Sequence, residues 1–202
     1  MVREGLAVRI SSQDDLKVCG EAATEEEALA LVKDINPDLM IVDISLKNGH
    51  GIELIKQVKL RHSAVKMLVL SGFHESLYGE RALRAGALGY LNKQESNEKV
   101  LEAIRTVLAG ERFVSPELTR RLVAQALDGR DKTNDPIELL SDRELEIFRM
   151  IGEGQTSGTI ANRLLLSTHT IDTHRENIKR KLRISNAAEL SRAAVQWLLE
   201  NG

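Results

Sequence analysis

The sequence predicts an α/β unit built on a parallel sheet, followed by an all-α helix-turn-helix unit. Three observations predict it. Over the first two-thirds of the 202 residues, short apolar runs alternate with stretches of helical periodicity, the pattern of repeated β/α units. Over residues 140–190, apolar residues recur at helical spacing in successive stripes. Between the two regions lies Asp128-Gly129-Arg130-Asp131-Lys132-Thr133-Asn134-Asp135-Pro136, a polar run holding Gly and Pro that reads as a linker. The predicted boundaries are 1–115 for the first unit, 116–137 for a helical segment and the linker, and 138–202 for the second unit.

Taken in order, the strand-like runs are residues 16–19, 39–44, 66–70 and 89–91. Helical patterns fill the gaps at 24–35, 51–61, 75–85 and 97–109, and a further amphipathic segment, 116–127, leads into the linker. In the second unit Ser141 is the expected N-cap of a helix, with Glu144 three residues on completing a capping box. Gly152-Glu153-Gly154 stops that helix, and Thr156 or Ser157 caps the next, over 158–165. After a turn at Ser167-Thr168, residues 170–183 form a helix. There Ile171, Ile178 and Leu182 keep the core stripe, while Thr173, Arg175, Glu176, Lys179 and Arg180 take the open faces. The last helix, 187–199, carries Leu190, Ala194, Trp197 and Leu198, more apolar surface than one small domain needs. Part of it is therefore expected to pair two copies.

Charge is local rather than general. The chain as a whole stands at −2, yet Arg163, Arg175, Lys179, Arg180, Lys181, Arg183 and Arg192 face only Asp172, Glu176 and Glu189 across the same stretch. A cation-rich second helix behind a tight turn presents polar tips to base edges and cations to phosphates, so double-stranded DNA is the expected partner. The single cysteine, Cys19, lies in an apolar run and reads as a buried reduced thiol. No apolar run approaches the ~18 residues of a membrane span and no signal-peptide pattern is present, so a cytoplasmic protein away from the membrane is expected. The five histidines have no metal-ligand spacing, and His174 reads as a packing residue.

Three polar residues stand at strand carboxyl ends: Asp43, Ser71 and Lys93. In an open α/β sheet those ends converge on one crevice. A carboxylate nucleophile, a hydroxyl and an ammonium together suit phosphoryl transfer. Asp43 would take the group as an acyl phosphate, and Ser71 and Lys93 would hydrogen-bond and neutralise its oxygens.

At Leu140-Ser141, Arg143-Glu144, Gly154, Ile160-Ala161, Leu164, Ser167, Thr170-Ile171, His174, Ile178, Lys181-Leu182 and Glu189-Leu190 the chain resembles the LuxR-type DNA-binding domain of NarL/FixJ response regulators. The resemblance implies that Asp172, Thr173 and Glu176 face bases, with Thr170, Arg175, Lys179 and Lys181 nearer the DNA backbone, and that Thr156 also belongs to the DNA-binding set. Two departures matter: Asp172 and Gly158 stand where that family often carries basic residues. An acidic tip cannot pair with phosphate or with guanine acceptors but can accept from cytosine N4, so a different base preference is expected.

From about Val2 to Ala109 the chain resembles a response-regulator receiver, a flavodoxin-like parallel sheet. The resemblance rests on Gly20-Glu21-Ala22, IVDISL at 41–46, LSG at 70–72 and RALRAGALGYLNK at 81–93. It implies a sensor histidine kinase as phosphoryl donor, Asp43 as phosphoacceptor, and Tyr90 as the aromatic whose ring moves when Ser71 turns toward phosphate. Gln94 replaces the proline common after the lysine.

By the same resemblance, residues 1–6 match the helix that follows a receiver's first strand, so that strand and its terminal acidic pair are expected to be missing. A complete receiver holds Mg²⁺ with that pair. Here the ligands reduce to Asp43 and the Ser45 carbonyl, since Asp14-Asp15 read as a turn at the sheet's opposite edge, and metal-assisted phosphorylation is expected to be poor. Either the gene product starts upstream or the receiver is degenerate. The reading is a dimeric, non-enzymatic transcription regulator. Its alternatives are a receiver governed by protein interaction with DNA binding retained, and a phosphoryl sink for a kinase.

Overall fold

The computed structural model describes residues 2–46, 49–128 and 136–201. The chain divides into two compact units, one of residues 1–75 with 81–114 and the other of 115–202 with 76–80. The linker read from the sequence falls mostly on 129–135, outside the described residues. No helix among the described residues is long and apolar enough to cross a membrane.

The first unit runs α1 (Val2–Ser11), α2 (Glu25–Ile35), β1 (Leu39–Val42), α3 (Gly51–Arg61), β2 (Lys66–Ser71), α4 (Glu75–Ala85), β3 (Gly89–Asn92) and α5 (Asn97–Leu108). The strands form one parallel sheet in the order β1-β2-β3, with Val42 opposite Val69 and Ser71 opposite Asn92. β2 is central and apolar on both faces. Leu68 and Leu70 pack with Leu91 against Val100, Ala103, Ile104 and Val107 of α5, while Met67 and Val69 alternate to the other face and are equally buried. Local signals set the helix starts. Thr24 and Glu27 form a capping box on α2, Ser96 caps α5, and the His50 imidazole accepts from the Ile52 amide at the head of α3.

Two expectations are corrected here. Residues 16–19 form no strand: Leu16 packs on the α5 core, but no neighbouring strand among the described residues runs beside the segment, and without a ladder an extended run is only a loop. Cys19, expected to be buried, is exposed for the same reason, since no sheet face covers it.

The second unit holds α6 (Pro116–Asp128), a short 3-10 turn (Pro136–Leu139), α7 (Asp142–Gly152), α8 (Ser157–Leu164), α9 (Thr168–Leu182) and α10 (Ala187–Asn201). Its core joins Leu145, Phe148 and Ile151 of α7 to Ile160, Ala161 and Leu164 of α8, Ile171 and Ile178 of α9, and Leu190 and Ala194 of α10. The rings of Phe148 and Trp197 meet at 5.7 Å, tilted by 54°. Leu190 and Ala194 are thus spent on the internal core and Trp197 and Leu198 are half-buried; the large apolar residues α10 leaves exposed are Val195 and Leu199.

Candidate functional sites

Parallel pairing brings the three strand-end residues of the first unit to one edge. β1 ends at Val42, so Asp43 is the first residue beyond the ladder; Ser71 closes β2; Lys93 follows β3, and its amide donates to the Ser71 carbonyl at 2.8 Å. The Lys93 ammonium reaches across to Asp43 Oδ2 at 2.5 Å, and the Ser45 amide donates to Oδ1 at 3.3 Å. Gly51 keeps this edge tight: a Cβ there would stand 2.2 Å from the Asp43 carbonyl oxygen.

Ser71 is fully buried, and its hydroxyl accepts from the Phe73 amide at 3.1 Å. Tyr90 is buried with its hydroxyl donating to the Phe73 carbonyl at 2.9 Å, and Asn92 Nδ2 donates to the same oxygen at 3.2 Å. Burial pushes the Tyr90 phenol far above its ordinary range, with Glu75 and Asp43 adding to the rise against the Ser71 hydroxyl, so the ring stays a neutral donor. Asn92 was not singled out by sequence reasoning. Its position beside Lys93 at a strand end was the signal available.

Mg²⁺ needs about six oxygen ligands in near-octahedral array. Asp43 offers one carboxylate whose oxygens already accept from Lys93 and Ser45, and no group of three or more His, Cys, Asp or Glu able to hold a metal occurs among the described residues. Asp14 and Asp15 lie in the turn after α1, where the Arg105 guanidinium grips Asp15 at 2.9 and 3.0 Å and holds its carboxyl below the usual range. Among the described residues, the donors around Asp43 do not make up a ligand set that fits Mg²⁺.

In the second unit the Ser141 hydroxyl accepts from the Glu144 amide while Glu144 Oε2 accepts from the Ser141 amide at 2.7 Å. Thr156, one of the two caps the sequence offers, caps α8, and Ser167 caps α9, which begins at Thr168, two residues earlier than the sequence suggests. Along α9 the base-side candidates Asp172, Thr173 and Glu176 are exposed, opposite buried Ile171 and Ile178. The Thr170 hydroxyl pairs with Ser167 at 2.8 Å, and the Thr173 hydroxyl donates to the His169 carbonyl at 3.0 Å.

Cations divide into two groups. Lys179 pairs with Glu176 at 2.8 Å, and Lys181 turns into the domain, where its ammonium meets Glu144 at 2.6 Å. Half-buried Arg175 makes no ion pair among the described residues, while Arg180 and Arg183 are exposed on the same helix and its cap. Burial raises the Glu144 carboxyl, but Lys181 and the Ser141 amide and hydroxyl outweigh it and hold it below the ordinary value. Sequence reasoning reads Ser157 only as a possible cap and misses its partner: its hydroxyl donates to Asp172 Oδ1 at 3.0 Å.

A parallel α/β unit with an Asp-Ser-Lys strand-end cluster, joined to a capped helix-turn-helix, defines a response regulator with a DNA-binding output domain. Residues 1–105 match the response regulator receiver domain, and residues 138–194 match the luxR family of bacterial regulatory proteins. The response regulator GacA of Pseudomonas viridiflava is 33% identical over 196 residues, covering 97% of this chain and 91% of that protein. The oxygen regulatory protein NreC of Staphylococcus carnosus is 33% identical over 201 residues, covering 97% and 93%. Among solved structures, a LuxR-family two-component response regulator from Aurantimonas sp. SI85-9A1 superposes with a TM-score of 0.57 at 29% identity, over 62% of this chain and 90% of that one. RcsB from Salmonella enterica serovar Typhimurium, bound to promoter P1flhDC, gives a TM-score of 0.60 at 23% identity over 96% and 92%, a likeness of fold. The chain belongs to the response regulators that carry a receiver and a LuxR-type DNA-binding domain, and is a DNA-binding transcriptional regulator of that class.

Proposed function

We propose that the chain reads operator DNA with the N-terminal half of α9 as a homodimer, and that its receiver takes its input at Asp43, with a sensor histidine kinase as phosphoryl donor. One observation carries the DNA half of this reading. Asp172, Thr173 and Glu176 stand exposed on a helix whose opposite face is locked into the core, with Arg175, Arg180 and Arg183 beside them to meet phosphates. Ser71 and Lys93 are the groups that would bind the phosphoryl oxygens, and Tyr90 the ring that would respond. Dimerisation uses the exposed Val195 and Leu199, 43% and 78% accessible one turn apart on α10, which suits a two-fold pairing on inverted half-sites.

The test is a duplex titration over a series of salt concentrations. Arg175→Ala with Arg180→Ala should weaken binding to specific and random duplexes alike and lower the slope of log affinity against log salt by about one per lost phosphate contact. An unchanged slope would overturn the assignment of these phosphate anchors.

A second reading is favoured by the donor set at Asp43, which does not fit Mg²⁺ and is already satisfied by Lys93 and Ser45. In that reading the receiver acts through protein contacts and DNA binding is retained.

A further inference from the structure

Ser157 is the first residue of α8, immediately after the Thr156 cap, and Asp172 lies in the second turn of α9. Their side chains meet at 3.0 Å, the hydroxyl donating to Oδ1. Thr156 caps the helix by accepting from the Thr159 amide, so the Ser157 hydroxyl is not needed for capping and is free to bridge the two helices. On α9, the neighbouring acid is held in the same manner: Glu176 accepts from Lys179 at 2.8 Å. The exposed recognition face therefore presents two carboxylates, each steadied by a donor, where a DNA-binding helix more often presents donors.

A carboxylate in the major groove is an acceptor only. It repels phosphate and the N7 and O6 acceptors of guanine, and it finds a partner in an exocyclic amino group, cytosine N4 or adenine N6. A free aspartate side chain samples several rotamers and would read an amino group poorly, whereas one oxygen fixed by a hydroxyl leaves the other aimed as a single acceptor.

Building on the DNA-binding reading above, we infer that Ser157 is a positioning residue for base readout. By holding Asp172 Oδ1 it sets Oδ2 to accept from one amino-bearing base in each half-site. Helix α8 thereby contributes to sequence choice as well as to support.

The experiment is selection of binding sites from random duplexes by the full chain and by Ser157→Ala, Ser157→Thr and Asp172→Asn, together with salt titrations on random duplex and thermal melts. Ser157→Ala should keep its melting temperature and its affinity for random duplex within about twofold, yet lose roughly tenfold preference at one base-pair position of each half-site. Asp172→Asn should change the preferred base at that same position, and Ser157→Thr, which keeps the hydroxyl, should restore the original motif. A Ser157→Ala motif as sharp as the parent's, or a loss at a position that Asp172→Asn leaves alone, would overturn the inference while leaving the DNA-binding reading intact. Failure of the parent chain to bind any duplex would instead remove that reading, and the inference with it.

Discussion

Glu144 does two jobs with one carboxylate: it closes the Ser141 capping box at the head of α7 and receives the Lys181 ammonium from the far end of α9. Its side chain is only 6% exposed and that of Lys181 31%, so the pair is partly desolvated and its removal leaves a buried charge rather than a solvated one. Lys181→Met should cost about 1–3 kcal/mol of unfolding free energy, and a double-mutant cycle with Glu144→Gln should show coupling between the two sites. Additive single effects would remove the pair from the stability of this unit. His174 sits nearby with its Nδ1 buried and without a hydrogen-bond partner among the described residues. Burial holds its imidazole below the ordinary value of 6.5, with Glu144 opposing the shift and Arg143 adding to it. Between the lowered value and 6.5 the unfolded chain binds the extra proton, so stability falls as the pH drops through that window. Denaturant unfolding at pH 7.5 and 5.5 should show this loss in the parent and a smaller one in His174→Gln; equal losses would assign the pH dependence to other groups.

At the scale of elements, α8 is short and begins with Ser157-Gly158-Thr159, poor helix formers that rely on the Thr156 cap. A Cβ at Gly158 would meet nothing nearer than Thr156 Oγ1 at 3.9 Å. Gly158→Ala should therefore raise stability by about 0.5 kcal/mol, read as a higher melting temperature with the selected DNA motif unchanged. Destabilisation would mean that this turn needs glycine for a reason other than space. What the sequence makes legible at this scale is what depends on near neighbours. The Ser141–Glu144 box, the stop at Gly152-Glu153-Gly154 and the apolar run of β2 all lie within a few residues of their cause. Residues 16–19 misled because a strand is defined by its partner, and Cys19 followed that error to the surface. Ser157 and Asp172, fifteen residues apart, show no local sign of meeting. The helical pattern of α9 likewise places Lys181 on a cationic face without revealing that a carboxylate on α7 captures it.

For the whole molecule, the question is how far the state of Asp43 reaches the DNA-binding unit. A covalent signal shifts a two-state equilibrium only by its differential interaction with the two states, and a phosphoryl group at Asp43 must first be accepted there. Lys93 can neutralise part of the incoming charge, and Ser71, whose oxygen accepts from the Phe73 amide, can donate one hydrogen bond through its hydroxyl proton. Among the described residues Lys93 is the cation paired with Asp43, and no group of three or more His, Cys, Asp or Glu able to hold a metal occurs. Phosphoryl transfer depends on electrostatic stabilisation of the charge spread over the equatorial oxygens, so a cluster with one ammonium should accept slowly. With acetyl phosphate and Mg²⁺, this 202-residue chain is expected to become only weakly labelled, and its affinity for a selected duplex should change by less than about twofold on addition of the donor. Asp43→Asn should leave that affinity equally unchanged, because the switch it removes is barely used. Strong Mg²⁺-dependent labelling, accompanied by a donor-dependent gain in duplex affinity that Asp43→Asn abolishes, would show that Asp43, Ser71 and Lys93 suffice for a phosphorylation switch, and would retire the reading in which this receiver acts through protein contacts.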